Sequence, residues 1–336
     1  MFAQIRMAKK IKVGILFGGR SVEHEISILS AKNVAQAMDP KKYQVVFIKI
    51  DKQGVCFSKT AIFKSIQSVD VIFPILHGTF GEDGTVQGLL KLANIPFVGS
   101  SVLGSAVCMD KDVMKRLLRD AAIPISDFIA VHVSQKDSLV FEDIQTKLGL
   151  PFFVKPANSG SSVGIHKVKD KKDFDRAIQD AFQYDSKILI EEFISGREIE
   201  CAVLGNDAPI ASAPGEIIPK HEFYSYEAKY LDEEGAILKA PAELPEDTVK
   251  KIQELAIQAY KALGCEGMAR VDFFLRDEEV LVNELNTIPG FTKISMYPRM
   301  WEVSGISYSQ LIDKLIQLAL DRFKQERKVK TSFKAK

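Results

Sequence analysis

The chain has 336 residues, room for two or three domains at roughly 100–150 residues each. Hydrophobic residues make up 46% and charged ones 26%, the balance of a globular protein rather than a disordered or fibrous one. With 45 basic against 44 acidic side chains the net charge is +1, so nothing recommends a nucleic-acid or membrane-surface partner.

The first ten residues read as a short polar leader, with Met7 as an alternative translation start. The apolar run 11–17 that follows carries Lys12, enters a glycine pair and offers no small-residue cleavage site, unlike a secretory signal. It reads as a first strand, and 43–50 and 69–76 as further ones. Helical spacing appears over 25–38 and 85–93. Such alternation predicts a parallel sheet with helices on both faces, and an α/β fold. Ligands in such folds gather at the carboxyl ends of strands, where loops 18–25 and 77–84 fall.

A smaller α/β unit follows over 100–190, with helices near 112–122 and 173–182 and strands 152–155, 165–168 and 187–191. From 191 to 336 the pattern turns to α+β: more strands, a polar stretch over 219–235, a helix 246–263, a strand hairpin over 270–286 and a last helix 308–323. The basic tail after Arg322 is expected to fray. Three domains are therefore expected, 1–99, 100–190 and 191–336. No run approaches the ~18 apolar residues of a spanning helix. Cys56, Cys108, Cys201 and Cys265 form no CxxC pair, which points to free thiols in a reducing cytoplasm.

The most informative segment is RVDFFLRDEEVLVNELN (270–286). A three-residue hairpin loop over 277–279 sets Asp272 opposite Glu284 and Arg270 opposite Asn286, and strand period two puts all four on one face. Val271, Phe273, Leu275, Leu281 and Leu285 would face a core. Carboxylates directly across strands repel. A shared hard cation relieves this, and the oxygen-only set Asp272, Glu284 and Asn286 favours magnesium or manganese over zinc. A solvated polar face is the alternative.

Strand 152–155 runs into Pro156 and ANSGSSVG (157–164), small residues whose amides can cradle phosphate within reach of Lys155. A plain turn would look the same. Gly160, Ser162 and Gly164 also fit the GxSxG elbow of a serine hydrolase, but an elbow needs a helix directly after it, and 165–168 reads as a strand. No GxxxxGK[ST] occurs, and Gly18-Gly19 does not complete GxGxxG.

Taken in order, GGRSVEHEIS (18–27), LHGTFGEDG (76–84), MDK (109–111), VKPANSGSSVG (154–164), EAKY (227–230), RVD (270–272) and NELNTIPGFT (283–292) resemble the D-alanine–D-alanine ligases of the ATP-grasp superfamily, over roughly residues 12–320. The resemblance implies the three-domain ATP-grasp architecture and ATP as cosubstrate, with Lys111 and Lys155 at its phosphates. It puts Glu191, Glu192 and Ile194 at the adenine and Glu198 at the ribose, and gives Asp272, Glu284 and Asn286 two magnesium (or manganese) ions. Glu23, Ser161 and Tyr230 would surround the first D-alanine, with His77 nearby and Lys229 at the γ-phosphate. Arg270 and the Gly290 amide would stabilise an oxyanion. Ser295 would hold the second D-alanine's carboxylate, beside Met296 where Leu is common. A cytoplasmic homodimer serving cell-wall precursor synthesis is implied as well. Formation of D-alanyl-D-lactate, or another ATP-grasp ligation of a carboxylate to an amine, is the alternative reaction.

Overall fold

The computed structural model describes residues 9–53, 59–160, 163–220 and 236–330. Ser161, Ser162, Lys229, Tyr230, Cys56 and nearly all of the polar stretch 219–235 lie outside them.

The N-terminal sheet is parallel, as expected, in the order β2-β1-β3: β1 is Ile11–Gly18, β2 Tyr43–Ile50 and β3 Val71–Ile75. Helices α1 (His24–Ala37), α2 (Lys59–Gln67) and α3 (Thr85–Leu92) connect these strands and lead on from them. Central β1 beyond Lys12, and β3 beside it, read as apolar runs because both faces are covered. Two helices follow, α4 (Val102–Met109) and α5 (Lys111–Asp120). Asp110 starts α5 by accepting the amides of Asp112 and Val113, each at 3.1 Å.

The second sheet is antiparallel, in the order β4-β7-β5-β6, with β4 Phe128–His132, β5 Phe152–Pro156, β6 His166–Val168 and β7 Lys187–Glu192. It carries α6 (Phe141–Leu148) and α7 (Lys171–Ala181). Strand β6, not a helix, follows Gly164, so the context a nucleophile elbow requires is missing.

The third sheet runs β11-β10-β8-β12-β13, with β9 beside β8. Its strands are β8 Arg197–Gly205, β9 Ile210–Ala211, β10 Gly215–Pro219, β11 Ala236–Lys239, β12 Gly267–Arg276 and β13 Glu279–Asn286. Helix α8 (Glu246–Ala262) covers one face; α9 (Met296–Val303) and α10 (Tyr308–Glu326) complete the chain. The first and third sheets share a core: Val13, Ile15 and Phe73 pack in one cluster with Ala202, Met268, Trp301 and Leu315.

Two expectations need correction. The tail does not fray at Arg322: α10 continues to Glu326, and buried Arg322 donates to the Phe97 carbonyl at 2.8 Å and that of Gly99 at 2.5 Å. The hairpin loop is two residues, Asp277 and Glu278, with Asp277 at φ 54°. A bulge at Asn283, between the Asp272–Glu284 and Phe273–Val282 pairs, restores the anticipated register at the site end. Between bulge and turn the faces are exchanged. Val280 and Val282 enter the core cluster, while Leu281 pairs with Phe274 on the other face. Among the described residues no helix is long and apolar enough to cross a membrane.

Candidate active site

A cleft of about 580 Å³ opens between the three sheets. Glu23, His77, Lys111, Glu198, Arg270, Asp272, Glu284, Asn286, Gly290, Ser295 and Met296 all line it. Lys155, Glu191, Glu192 and Ile194 do not border this cleft.

The N-terminal wall comes from the loops after β1 and β3. Glu23 is buried just before α1. Ser27 ties the loops together: it accepts the Gly18 amide at 2.8 Å and donates to the Ile75 carbonyl. Gly78 sits at φ 73°, and a Cβ there would stand 3.1 Å from Glu23 Oε2, so glycine allows the loops to meet. His77 Nδ1 lies 3.1 Å from the Ile288 carbonyl. A carbonyl only accepts, so Nδ1 carries the proton and Nε2 presents its lone pair. Nε2 has no hydrogen-bond partner among the described residues. Burial lowers the imidazole pKa, keeping that tautomer neutral. From the same loop Glu82 accepts the amides of Gly78 at 2.6 Å and Ile288 at 3.3 Å. Burial, then the charge of Glu23, pushes its pKa up to about 8.

Lys111, the first residue of α5, joins the other two walls. Its amide donates to the Ala157 carbonyl at 3.0 Å, its ammonium to the Ser159 carbonyl at 2.8 Å, and Glu284 lies 3.7 Å away. One cation thus touches both the glycine-rich loop and the carboxylate hairpin. Lys155 is engaged elsewhere, with Glu191, which also holds the fully buried Lys115 and accepts from Ser126. Glu192 accepts the Asp127 amide at 3.0 Å, and Ile194 is buried.

On the hairpin, Asp272 faces Glu284 across β12 and β13, as the sequence suggested. Arg270 grips Asp272 through two bonds of 2.7 Å, and Asn286 Nδ2 donates to Asp272 Oδ2 at 3.0 Å. Among the described residues no group of three or more His, Cys, Asp and Glu side chains is arranged around a cation position. The set here is two carboxylates and an amide oxygen. Its chemistry suits magnesium, which takes few protein ligands and completes its shell with water and phosphate. Beyond the hairpin, Ser295 accepts the Thr292 amide at 2.9 Å, and a Cβ on Gly290 would fall 2.7 Å from Ser295 Oγ. The chain at Gly290, which lines the cleft, is therefore pressed against the serine.

Three residues of this environment escaped the sequence reading: Glu82, Lys115 and Glu200. Glu82 carried a signal as part of LHGTFGEDG (76–84), and Glu200 through its period-two spacing from Glu198 on β8; Lys115 carried none.

Two family models match the chain, D-ala D-ala ligase C-terminus over residues 117–317 and D-ala D-ala ligase N-terminus over 12–66 and 57–100. The D-alanine--D-alanine ligase of Oceanobacillus iheyensis is 53% identical, with 96% of this chain and 99% of the relative covered. The solved D-alanine-D-alanine ligase from Coxiella burnetii has a TM-score of 0.84 at 41% identity, covering 96% of this chain and 97% of that one. The D-alanine--D-alanine ligase from Bacillus anthracis complexed with ATP gives 0.81 at 32% identity, covering 94% and 99%.

Proposed function

This chain belongs to the D-alanine–D-alanine ligase family, and from that premise we propose how its own residues carry the reaction. The reaction is ATP-dependent ligation of two D-alanines into D-alanyl-D-alanine, a component of peptidoglycan precursors. The position of Lys111, touching both the glycine-rich loop and Glu284, supports a phosphate site between them more than any other observation.

The chain divides at about residues 99 and 190, as its sequence patterning suggests, and ATP lies between the second and third parts. Its phosphates face Lys111, with Lys155 and Lys229 nearby; Glu191, Glu192 and Ile194 face the adenine and Glu198 the ribose. Asp272, Glu284 and Asn286 would hold two magnesium or manganese ions, whose chemistry is neutralisation of phosphate charge.

Glu23, with Ser161 and Tyr230, receives the first D-alanine's ammonium, and neutral His77 offers it a further acceptor. That substrate's carboxylate oxygen bonds to the γ-phosphorus as the bond to the β-phosphate oxygen breaks, giving ADP and D-alanyl phosphate. The second D-alanine, its carboxylate at Ser295 and its methyl near Met296, attacks the acyl carbon with a free amine. Oxyanion charge develops there beside Arg270 and the Gly290 amide. Phosphate then leaves as the dipeptide forms. The family resemblance further supports a homodimer in the cytoplasm.

Phosphate release from ATP and magnesium is expected to require D-alanine and to match dipeptide formed one for one. Release indifferent to D-alanine would sink the assignment, and ester hydrolysis without ATP would revive Ser162 as a nucleophile. The second substrate is tested by mass spectrometry after incubation with equimolar D-alanine and D-lactate at neutral pH. Dipeptide is expected to dominate, increasingly so as pH rises and more amine is unprotonated. Predominant depsipeptide would overturn the second-substrate assignment and leave ATP use intact.

A further inference from the structure

Glu200 is a buried carboxylate that the reaction scheme above does not use. It stands on β8 directly opposite Asp272 of β12, which in turn stands opposite Glu284 of β13. Three carboxylates thus form one row across three adjacent strands, on the face that carries the cleft. The neighbouring residues Ile199 and Cys201 point the other way, into the core. Like charges directly opposite on a sheet repel, and a buried carboxylate without a counter-charge is costly.

Arg270 answers both demands. Two residues from Asp272 on the same strand, it makes the paired bonds to Asp272 and places Nε 3.1 Å from Glu200 Oε1. Its own cross-strand neighbour on β8 is Ala202, too small to hold it. An arginine side chain stays charged in proteins, so it serves both carboxylates.

The two anchors are not equivalent once the site works. Asp272 is assigned to a cation, and a carboxylate that would share its charge with a cation has less left for Arg270, which grips it here. Glu200 is not among the residues assigned to the cation. We propose that Glu200 is a positioning residue: it holds the Arg270 guanidinium beside the acyl carbon while Asp272 is committed to metal. This rests on the assignment of Arg270 to the oxyanion, and it adds a residue that never touches substrate.

The consequence is selective. Formation of D-alanyl phosphate should be largely spared, and the amine's attack on it should suffer. In Glu200→Ala, D-alanine-dependent scrambling of bridging oxygen label in ATP, which reports the first step, is expected to stay within about threefold of the parent. Dipeptide formation should fall about 100-fold, the scale at which misplaced groups lose rate. The ratio of exchange to ligation therefore rises at least tenfold. Calorimetric affinity for a non-hydrolysable ATP analogue with magnesium should change less than twofold. Glu200→Asp, which keeps the charge, should recover part of the loss; Glu200→Gln serves if the alanine variant folds poorly. On an Arg270→Ala background, Glu200→Ala should cost little more, because it acts through the arginine. Exchange and ligation falling together, weakened analogue binding, or additive losses on that background would each overturn the proposal. Arg270→Ala with normal ligation would instead overturn the assignment beneath it.

Discussion

Asp272→Asn and Glu284→Gln are each expected to lower kcat by about a thousandfold or more while the fold survives, since the cation is asked for several kcal/mol of charge stabilisation. The fold should survive because each change relieves a repulsive row. Without the Asp272 charge, Arg270 keeps Glu200 at 3.1 Å. Without the Glu284 charge, Lys111 keeps the Ser159 carbonyl at 2.8 Å. The variants should also differ from each other. Glu284 lies beside the lysine assigned to phosphate, so Glu284→Gln should raise the KM for ATP as well as lower kcat. Steady-state kinetics at saturating magnesium, with thermal unfolding as a folding control, decide the matter. Activity within tenfold of the parent in both variants would remove the metal from Asp272 and Glu284.

The sequence carried the hairpin's chemistry but not its construction. An assumed three-residue loop set Asp272 opposite Glu284, alternation put them on one face, and that pairing is present. The route differs: a two-residue turn shifts the register by one, and the bulge at Asn283 shifts it back. A bulge inserts a residue without any compositional mark, so Leu281 was assigned to the wrong face. Long periodic elements were readable because burial of one face imposes spacing, as in 246–263. Some short ones were not: β4 Phe128–His132 and α6 Phe141–Leu148 are too brief for periodicity to stand out, whereas β5 and β7 show as compact apolar runs. The shared core of the first and third sheets was equally invisible. Trp301 and Leu315 look like any apolar helix residues until the fold brings them to Val13 and Phe73. Among the cleft-lining residues, Glu23, His77, Lys111, Arg270, Asp272, Glu284, Asn286 and Gly290 sit in the motifs that carried the resemblance, while Glu198, Ser295 and Met296 lie outside them. Lys115 belongs to no such motif, and its place in α5, KDVMKRLLRD, reads as a solvated helix face. Only the folded chain shows that it is fully buried.

That buried lysine sets up a second large effect, on stability. Glu191 holds Lys115 through one carboxylate oxygen and Lys155 through the other. Burial pushes the Glu191 pKa up, but the two ammonium groups outweigh it and bring it down to about 2. Lys115 moves the other way for a cation: burial lowers its pKa despite Glu191. What Glu191 gains, Lys115 partly loses, so the cluster as a whole contributes less than the Glu191 shift alone suggests. Removing one member is another matter. Glu191→Gln leaves two buried ammonium groups facing an amide, and a broken buried pair costs about 3–5 kcal/mol. Lys115→Met should cost less, because Glu191 keeps Lys155 and a desolvated charge is relieved. The pH dependence follows from the sign of the Glu191 shift. Its folded pKa lies below the ordinary 4.5, so its contribution is complete above that value and is lost as pH falls toward about 2. Urea unfolding at pH 7 should therefore rank the proteins parent, Lys115→Met, Glu191→Gln in falling stability. Between pH 4.5 and the acid limit, the parent should lose stability more steeply than Glu191→Gln. Equal stability of Glu191→Gln and parent at pH 7, with parallel acid limbs, would show that the cluster is not held by charge.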